Sequence, residues 1–494
     1  MTIRSSSVSS WRILMPLCLI LILGSVLRLY GLERQSLWND ELSSWDRSNL
    51  ASVTQVVDEG ARDDGHPPAY LVLLYFLGKY VRPTESTLRF PSVVAGVLSI
   101  LMMYLMGRRL YTDREGLLAA AFMAVLWCPI YFSQEARPYA LLILVSLLTT
   151  YFWLPFLPAL NLGLKPTAGS VVGYLLSAIA CIYLHYFGLW LVGFQGLAAL
   201  LLSWRWHRLR LPLLLTYGLI AVSFLPWLPM MWVQLHQQVT DPLKPPEFSI
   251  FTDFARLLFN GLRRGIAVVL LLYLLPVMYV VYPAIRARDL SRLKGELSPS
   301  GILLLGWLVV PFGSAFLESR LFLPILQFRY LLVCLPPAYL LLARSITRLP
   351  LRPWYQALIA GGLVGLFLFG LFVNLNYYGR TTKEQFREAV AYVMKNDPAG
   401  GNSLVLGAVR NLDYLDYYFD LLGSDRRGDL AALEPADIPA ISRLVEQRRP
   451  EFVWLVSAHA VPAPELVAAL RSRMALLQEQ EFIGARVWLF ATSP

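Results

Sequence analysis

The chain has 494 residues, of which 56% are hydrophobic and only 15% charged, and its mean hydropathy is +0.53. That balance excludes a soluble globular protein of this length and points to a polytopic membrane protein, mainly α-helical. The formal charge of +10 would suit nucleic acid, but the lysines and arginines collect in short loops between apolar runs, which is the pattern of cytoplasmic loops.

The first apolar run, Ile13 to Tyr30, is too long for a signal-peptide core and lacks a small-residue cleavage site after it, so it reads as a retained span. Further runs follow at 88–106, 117–132, 139–158, 171–186, 187–203, 211–230, 266–285, 301–317, 330–343 and 356–374. The expected bundle therefore has about eleven spans. With Arg4 and Arg12 inside, the basic loops (Arg108 and Arg109; Arg205, Arg208 and Arg210; Arg286, Arg288, Arg292 and Lys294; Arg344, Arg348 and Arg352) also fall inside. Arg263 and Arg264, in the outer loop 231–265, are the exception. The acidic loop 31–66 falls outside. The apolar stretch 69–81 is short for a span and would invert every later loop if it crossed, so it reads as a re-entrant or interfacial helix, with Pro67 and Pro68 in its first turn. The four cysteines lie in apolar segments and suit neither disulfides nor metal ligation.

From Arg380 the chain alternates short apolar strands (403–408, 452–456, 486–491) with amphipathic stretches (382–395, 464–478). This pattern predicts a small soluble α/β domain, 380–494, outside the membrane, after a transmembrane domain, 1–379, that carries the large first outer loop 31–87.

Several polar constellations fall on one expected face. Asp40 and Glu41 follow the first span at the start of an amphipathic helical stretch. They can cap that helix, and a carboxylate kept ionised there can also act as a general base. His66, in Gly65-His66-Pro67-Pro68, either accompanies a proline-fixed helix start or binds a phosphate or metal. The Ser133–Tyr139 connection holds Glu135, Arg137 and Tyr139, either as a solvated turn or as groups for a lipid phosphate. Arg89 opens the second span, His185-Tyr186 interrupts an apolar hairpin, and Arg329-Tyr330 opens the tenth span, where a guanidinium can snorkel or clamp phosphate. No P-loop, His-Glu-x-x-His or Gly-x-Ser-x-Gly motif is present.

Taken in order, Leu37-Trp38-Asn39-Asp40-Glu41, His66-Pro67-Pro68, Arg89-Phe90-Pro91-Ser92, Glu135-Ala136-Arg137-Pro138-Tyr139, His185-Tyr186 and Arg329-Tyr330 resemble the motifs of GT-C type membrane glycosyltransferases. The likeness is to bacterial glycosyltransferase family 39, relatives of the protein O-mannosyltransferases and the lipid A aminoarabinose transferase, and it covers residues 10–380. The resemblance implies an inverting transfer of sugar from a polyprenyl-phosphate donor to a lipid, glycan or protein acceptor on the outer face of the cytoplasmic membrane. It gives Asp40 the role of base and Glu41 that of its helper. Arg137 and Arg329, with Arg89, would stabilise the leaving phosphate, while His66, Glu135, Tyr139, His185, Tyr186 and Tyr330 would line the substrate site. Some relatives bind a divalent metal ion, for which His66 and His185 would be the ligands here. The competing readings are a lipid or glycan flippase, a cell-surface polysaccharide polymerase or ligase, and a non-enzymatic scaffold. A flippase would place polar groups near the bilayer midplane instead of at span ends.

Overall fold

The computed structural model describes residues 11–203, 206–236, 244–260, 267, 270–274, 298–400, 403–424, 430–432, 444–445, 447–459 and 464–492. They form two compact units. A helical unit comprises residues 1–30, 57–73 and 89–379; a sheet-bearing unit comprises 31–56, 74–88 and 380–494. The first part of the acidic loop, 31–56, thus belongs with the C-terminal segment, while its remainder belongs with the helical unit.

Among the described residues of this multi-pass membrane protein, seven helices are long and apolar enough to cross a bilayer: Trp11–Leu29, Glu85–Leu110, Tyr139–Phe156, Arg208–His236, Pro299–Leu321, Phe328–Thr347 and Pro353–Asn374. An eighth candidate is a pair, Asp113–Val125 and Trp127–Ser133, bent by 60°. The expected spans at 171–186 and 187–203 are the helices Ala168–Leu184 and Phe187–Leu202. At about 1.5 Å per residue, helices of this length reach about 25 Å, short of a core about 30 Å thick. Most of the span expected at 266–285 lies outside the described residues, as do Arg205, Arg263, Arg264 and the basic loop 286–294. The stretch after Pro67-Pro68 is a helix of 12 residues, Ala69–Tyr80.

The 60° bend has a chemical cause. Pro129 has no N–H to donate, its ring opposes the carbonyl of Val125, and Leu126 takes an extended conformation at φ −72°, ψ 139°. The Trp127 N–H released by the break donates to Asn260 Oδ1 at 2.7 Å, and Asn260 Nδ2 donates to Phe367 O at 2.8 Å. Beside the bend, Arg28 at the end of the first span is fully buried. Its guanidinium donates to Gly24 O, Ala124 O, Met123 O and Ser133 Oγ at 2.8–3.2 Å. Gly96 makes this approach possible, because a Cβ there would lie 2.1 Å from Ser133 Oγ and 2.8 Å from Arg28 Nε.

Among its described residues, the sheet-bearing unit holds five strands: β1 (Leu404–Ala408), β2 (Leu430–Ala432), β3 (Phe452–Ala458), β4 (Met474–Phe482) and β5 (Ala485–Thr492). Their order is β2-β1-β3-β5-β4. β1 pairs in parallel with β2 and β3, whereas β5 lies antiparallel between β3 and β4. Leu404, Leu406, Val453, Leu455, Trp488 and Phe490 form a core with Leu466 and Leu470 of the helix Pro464–Arg473. The helix Phe386–Asn396 buries Phe386, Ala389, Val390 and Val393.

One sequence expectation fails in this unit. The helix expected over 464–478 ends at Arg473, and Met474 begins β4. Met-Ala-Leu-Leu-Gln is a good helix former, but pairing with β5 outweighs the few tenths of a kcal/mol per residue that propensity supplies.

Candidate active site

In the sheet-bearing unit, the helix Asn39–Ser48 starts after Trp38, which is extended at φ −93°, ψ 173°. Asp40 and Glu41 fill its first turn, where the exposed N–H groups and the helix dipole favour negative charge. Asp40 is half-buried; Asn39 Nδ2 lies 3.4 Å from its Oδ1, and Ser44 Oγ donates to its carbonyl at 3.0 Å. Glu41 is fully buried and receives Lys383 Nζ at 3.0 Å, in an ion pair whose side chains are 4% and 0% exposed. Two neighbouring carboxylates thus occupy different environments: Asp40 stands at the edge and Glu41 in the interior.

In the helical unit, a second set of residues converges on His66. Its Nδ1 lies 3.0 Å from both the carbonyl and Oδ2 of Asp64 and 3.4 Å from Arg137 Nη2, and Arg137 Nη1 donates to Asp64 Oδ1 at 3.1 Å. Asp64 and Arg137 side chains are each 5% exposed. The His185 ring stands 4.8 Å from the His66 ring and 4.6 Å from the Tyr330 ring, with Tyr139 6.4 Å from both His66 and Tyr330. Arg329 and Arg137 are near enough for their charges to act on His185. Tyr186 donates to Gln234, whose Nε2 donates to Ala61 O at 2.6 Å and His66 O at 3.0 Å. Arg89 and Glu135 are buried in the same unit.

The hydrogen-bond pattern assigns the histidine faces. His185 Nδ1 accepts the Phe187 N–H at 3.1 Å, which leaves the proton of the neutral ring on Nε2. For His66, two nearby oxygens of Asp64 outweigh one more distant donor and place a proton on Nδ1. The Nε2 atoms of both rings are buried without a hydrogen-bond partner among the described residues. The arginines and the His185 Nε2–H offer donors suited to a phosphate oxygen, whereas His66 Nε2, with its ring proton on Nδ1, can only accept.

The donor set fits a metal less well. Two imidazoles fall short of three or four protein ligands, and among the described residues no group of three or more His, Cys, Asp or Glu could hold an ion. The structure thus brings His66, Arg137, Tyr139, His185 and Tyr330 together, with Arg329 and Tyr186 beside them, and it assigns Asp40 and Glu41 to the other unit. Sequence reasoning missed Asp64, Gln234 and Lys383. Asp64 lies two residues before His66 and Gln234 is a lone amide in an apolar helix, but Lys383 carries no local signal.

A family model described as dolichyl-phosphate-mannose-protein mannosyltransferase matches residues 65–232. None of the curated proteins matches the sequence. The apo structure of ArnT from Cupriavidus metallidurans superposes with a TM-score of 0.62 at 14% identity, over 98% of each chain. Its complex with undecaprenyl phosphate gives 0.54 at 14% identity, over 97% of this chain and 98% of that one. The apo oligosaccharyltransferase of Archaeoglobus fulgidus gives 0.50 at 12% identity, over 99% of this chain and 75% of that one. The architecture expected from the sequence, a GT-C-like helical bundle with a small C-terminal sheet domain, is the one observed.

Proposed function

We propose that this chain is a membrane glycosyltransferase that moves a sugar from a polyprenyl-phosphate carrier to a lipid, glycan or protein acceptor, on the outer face of the cytoplasmic membrane. The observation that carries the reading is the buried cluster of His66, Arg137, His185 and Tyr330, with two imidazole nitrogens left for a ligand inside a membrane bundle. A phosphate on a lipid is the anion that such a bundle can receive from the bilayer. The family match spans three of these four residues, and a protein of the same fold is known with undecaprenyl phosphate bound.

Asp40 takes the proton of the acceptor hydroxyl or amine as that atom bonds to the anomeric carbon. The bond from that carbon to the phosphate oxygen breaks, and the polyprenyl phosphate leaves with the electron pair from the opposite face, so the configuration inverts. Arg137 and Arg329 neutralise the charge that develops on the phosphate, and the His185 Nε2–H donates to one of its oxygens. Arg89, Glu135, Tyr139 and Tyr186 complete the substrate site around this phosphate. Glu41, buried against Lys383, serves Asp40 by fixing the helix turn that carries it. A flippase would also need a phosphate site, but not a carboxylate held at a helix start.

In membranes containing the protein, radiolabelled sugar should pass from a polyprenyl-phosphate donor to an endogenous acceptor. Asp40→Asn should reduce the rate by at least about a thousandfold while the protein remains folded. Full activity in that variant would remove Asp40 from the mechanism.

A further inference from the structure

The segment that opens the C-terminal part of the chain, Thr382 to Gln385, is bonded to the acidic helix and to the residues just before it. Lys383 Nζ reaches buried Glu41 at 3.0 Å. Glu384 Oε2 accepts the Asn39 N–H at 2.9 Å, so a side chain distant in sequence performs the task of an N-cap residue; Trp38, at the cap position, has no acceptor to offer. Ser36 Oγ donates to Glu384 O at 2.6 Å, and Gln35 Oε1 accepts the N–H groups of Thr382 and Lys383 at 2.8 and 2.9 Å. These bonds bracket Asp40 on both sides.

Glu384 is itself fixed. Its other oxygen lies 2.6 Å from His459 Nδ1. Gln385 N–H donates to Ile483 O at 2.9 Å, and the β4–β5 turn presses on the glutamate at Gly484, where φ is +67° and an added Cβ would lie 2.6 Å from Glu384 Cγ. The hydrogen bond to Glu384 raises the His459 pKa against the burial that would lower it.

We propose that Glu384 is a positioning residue for the base Asp40, capping the helix that carries the carboxylate, with Lys383 clamping its neighbour Glu41 and His459 holding the glutamate in place. The proposal gives the C-terminal domain a task in the reaction, and it rests on the glycosyltransferase reading above. Glu384→Ala removes the acceptor of the Asn39 N–H, whereas Glu384→Gln keeps an oxygen there and loses only the charge.

The test uses the full chain in lipid nanodiscs. Glu384→Ala should lower the transfer rate at saturating donor, per folded protein, by about tenfold or more while the donor KM changes by less than about twofold. Glu384→Gln should recover most of that loss. Amide hydrogen exchange over Asn39–Leu42 should rise in Glu384→Ala and remain near wild type in Glu384→Gln. An alanine variant with the wild-type rate per folded protein overturns the proposal, as does one in which exchange over Asn39–Leu42 is unchanged. If the wild type itself transfers no sugar, the glycosyltransferase reading fails, and the exchange measurement still decides whether Glu384 holds the helix.

Discussion

At the scale of single residues, the proposed function gives the two nitrogens of His185 different tasks, and the amide side chains can separate them. Asn can place an oxygen where Nδ1 accepts the Phe187 N–H, whereas Gln places an N–H near Nε2. His185→Asn should therefore preserve thermal stability and lower affinity for polyprenyl phosphate by about 10- to 100-fold, the worth of one hydrogen bond to a charged group. His185→Gln should behave in the opposite way, with lower stability and affinity within about threefold of wild type. Thermal unfolding and lipid-binding titrations on the purified variants give both numbers, and equal affinities for Asn and Gln would remove Nε2 from the phosphate site. The residues that sequence reasoning found here are polar groups at the edges of apolar runs: His66 ends the acidic loop, Arg137 lies in the connection between two spans, His185 interrupts a hairpin and Arg329 opens a span. Lys383 and Glu384 lay beyond it, because nothing local distinguishes them from the other charged residues of a soluble segment. Only the folded contacts with Asn39 and Glu41 give them meaning.

At the scale of an element, the Asn39–Ser48 helix carries a second charge with a measurable consequence. Asp46 Oδ2 accepts from Asn411 Nδ2 at 2.9 Å, yet burial, with Asp413 nearby, raises its pKa to about 6. A carboxyl whose folded pKa exceeds its unfolded value binds its proton more tightly in the native state. Its contribution to stability is greatest below the unfolded pKa, near 4, and is lost as pH rises towards 6. Asp46→Asn should thus stabilise the protein at pH 7 by roughly 1 kcal/mol, a figure reduced for the solvent that reaches this partly exposed group. It should also flatten the change in unfolding temperature between about pH 4 and pH 6. An unchanged pH dependence would mean that Asp46 titrates normally. Element by element, the apolar spans were legible because bilayer thickness imposes a length and lipid imposes a composition. β4 was not, because its partner β5 lies beyond a turn and helix-forming residues fill the strand itself. The bend at Leu126 was readable in principle from Pro129, but the partner that makes it tolerable, Asn260, lies far along the chain.

At the scale of the whole molecule, a parity argument constrains the topology independently of the charges. Residues 31–56 and 380–494 form one compact unit, held in part by the Glu41–Lys383 pair and the Asn39–Glu384 bond, so both segments lie on one side of the membrane. The chain must then cross an even number of times between Val56 and Arg380. Six of the seven long helices follow the first span; the bent pair and the shorter helices Ala168–Leu184 and Phe187–Leu202 bring the tally to an odd number if all of them cross. One further crossing restores parity. The apolar run at 266–285 can supply it, provided that Ala69–Tyr80 stays on one side as its short length suggests. On the proposed reading, the positive-inside distribution sets the direction, with the Arg108–Arg109 loop expected in the cytoplasm and the sheet-bearing unit expected outside. In a chain with Cys18, the one exposed cysteine among the four, replaced by serine, single cysteines at exposed positions test each step: Ala51→Cys, Glu481→Cys and Arg114→Cys. A membrane-impermeant maleimide applied to spheroplasts should label the first two and reach Arg114→Cys only after permeabilisation. Labelling of Ala51→Cys without Glu481→Cys would break the parity argument and with it the pairing of Glu384 to the acidic helix. Joint labelling of both only after permeabilisation would keep the unit intact and move the proposed reaction to the cytoplasmic face.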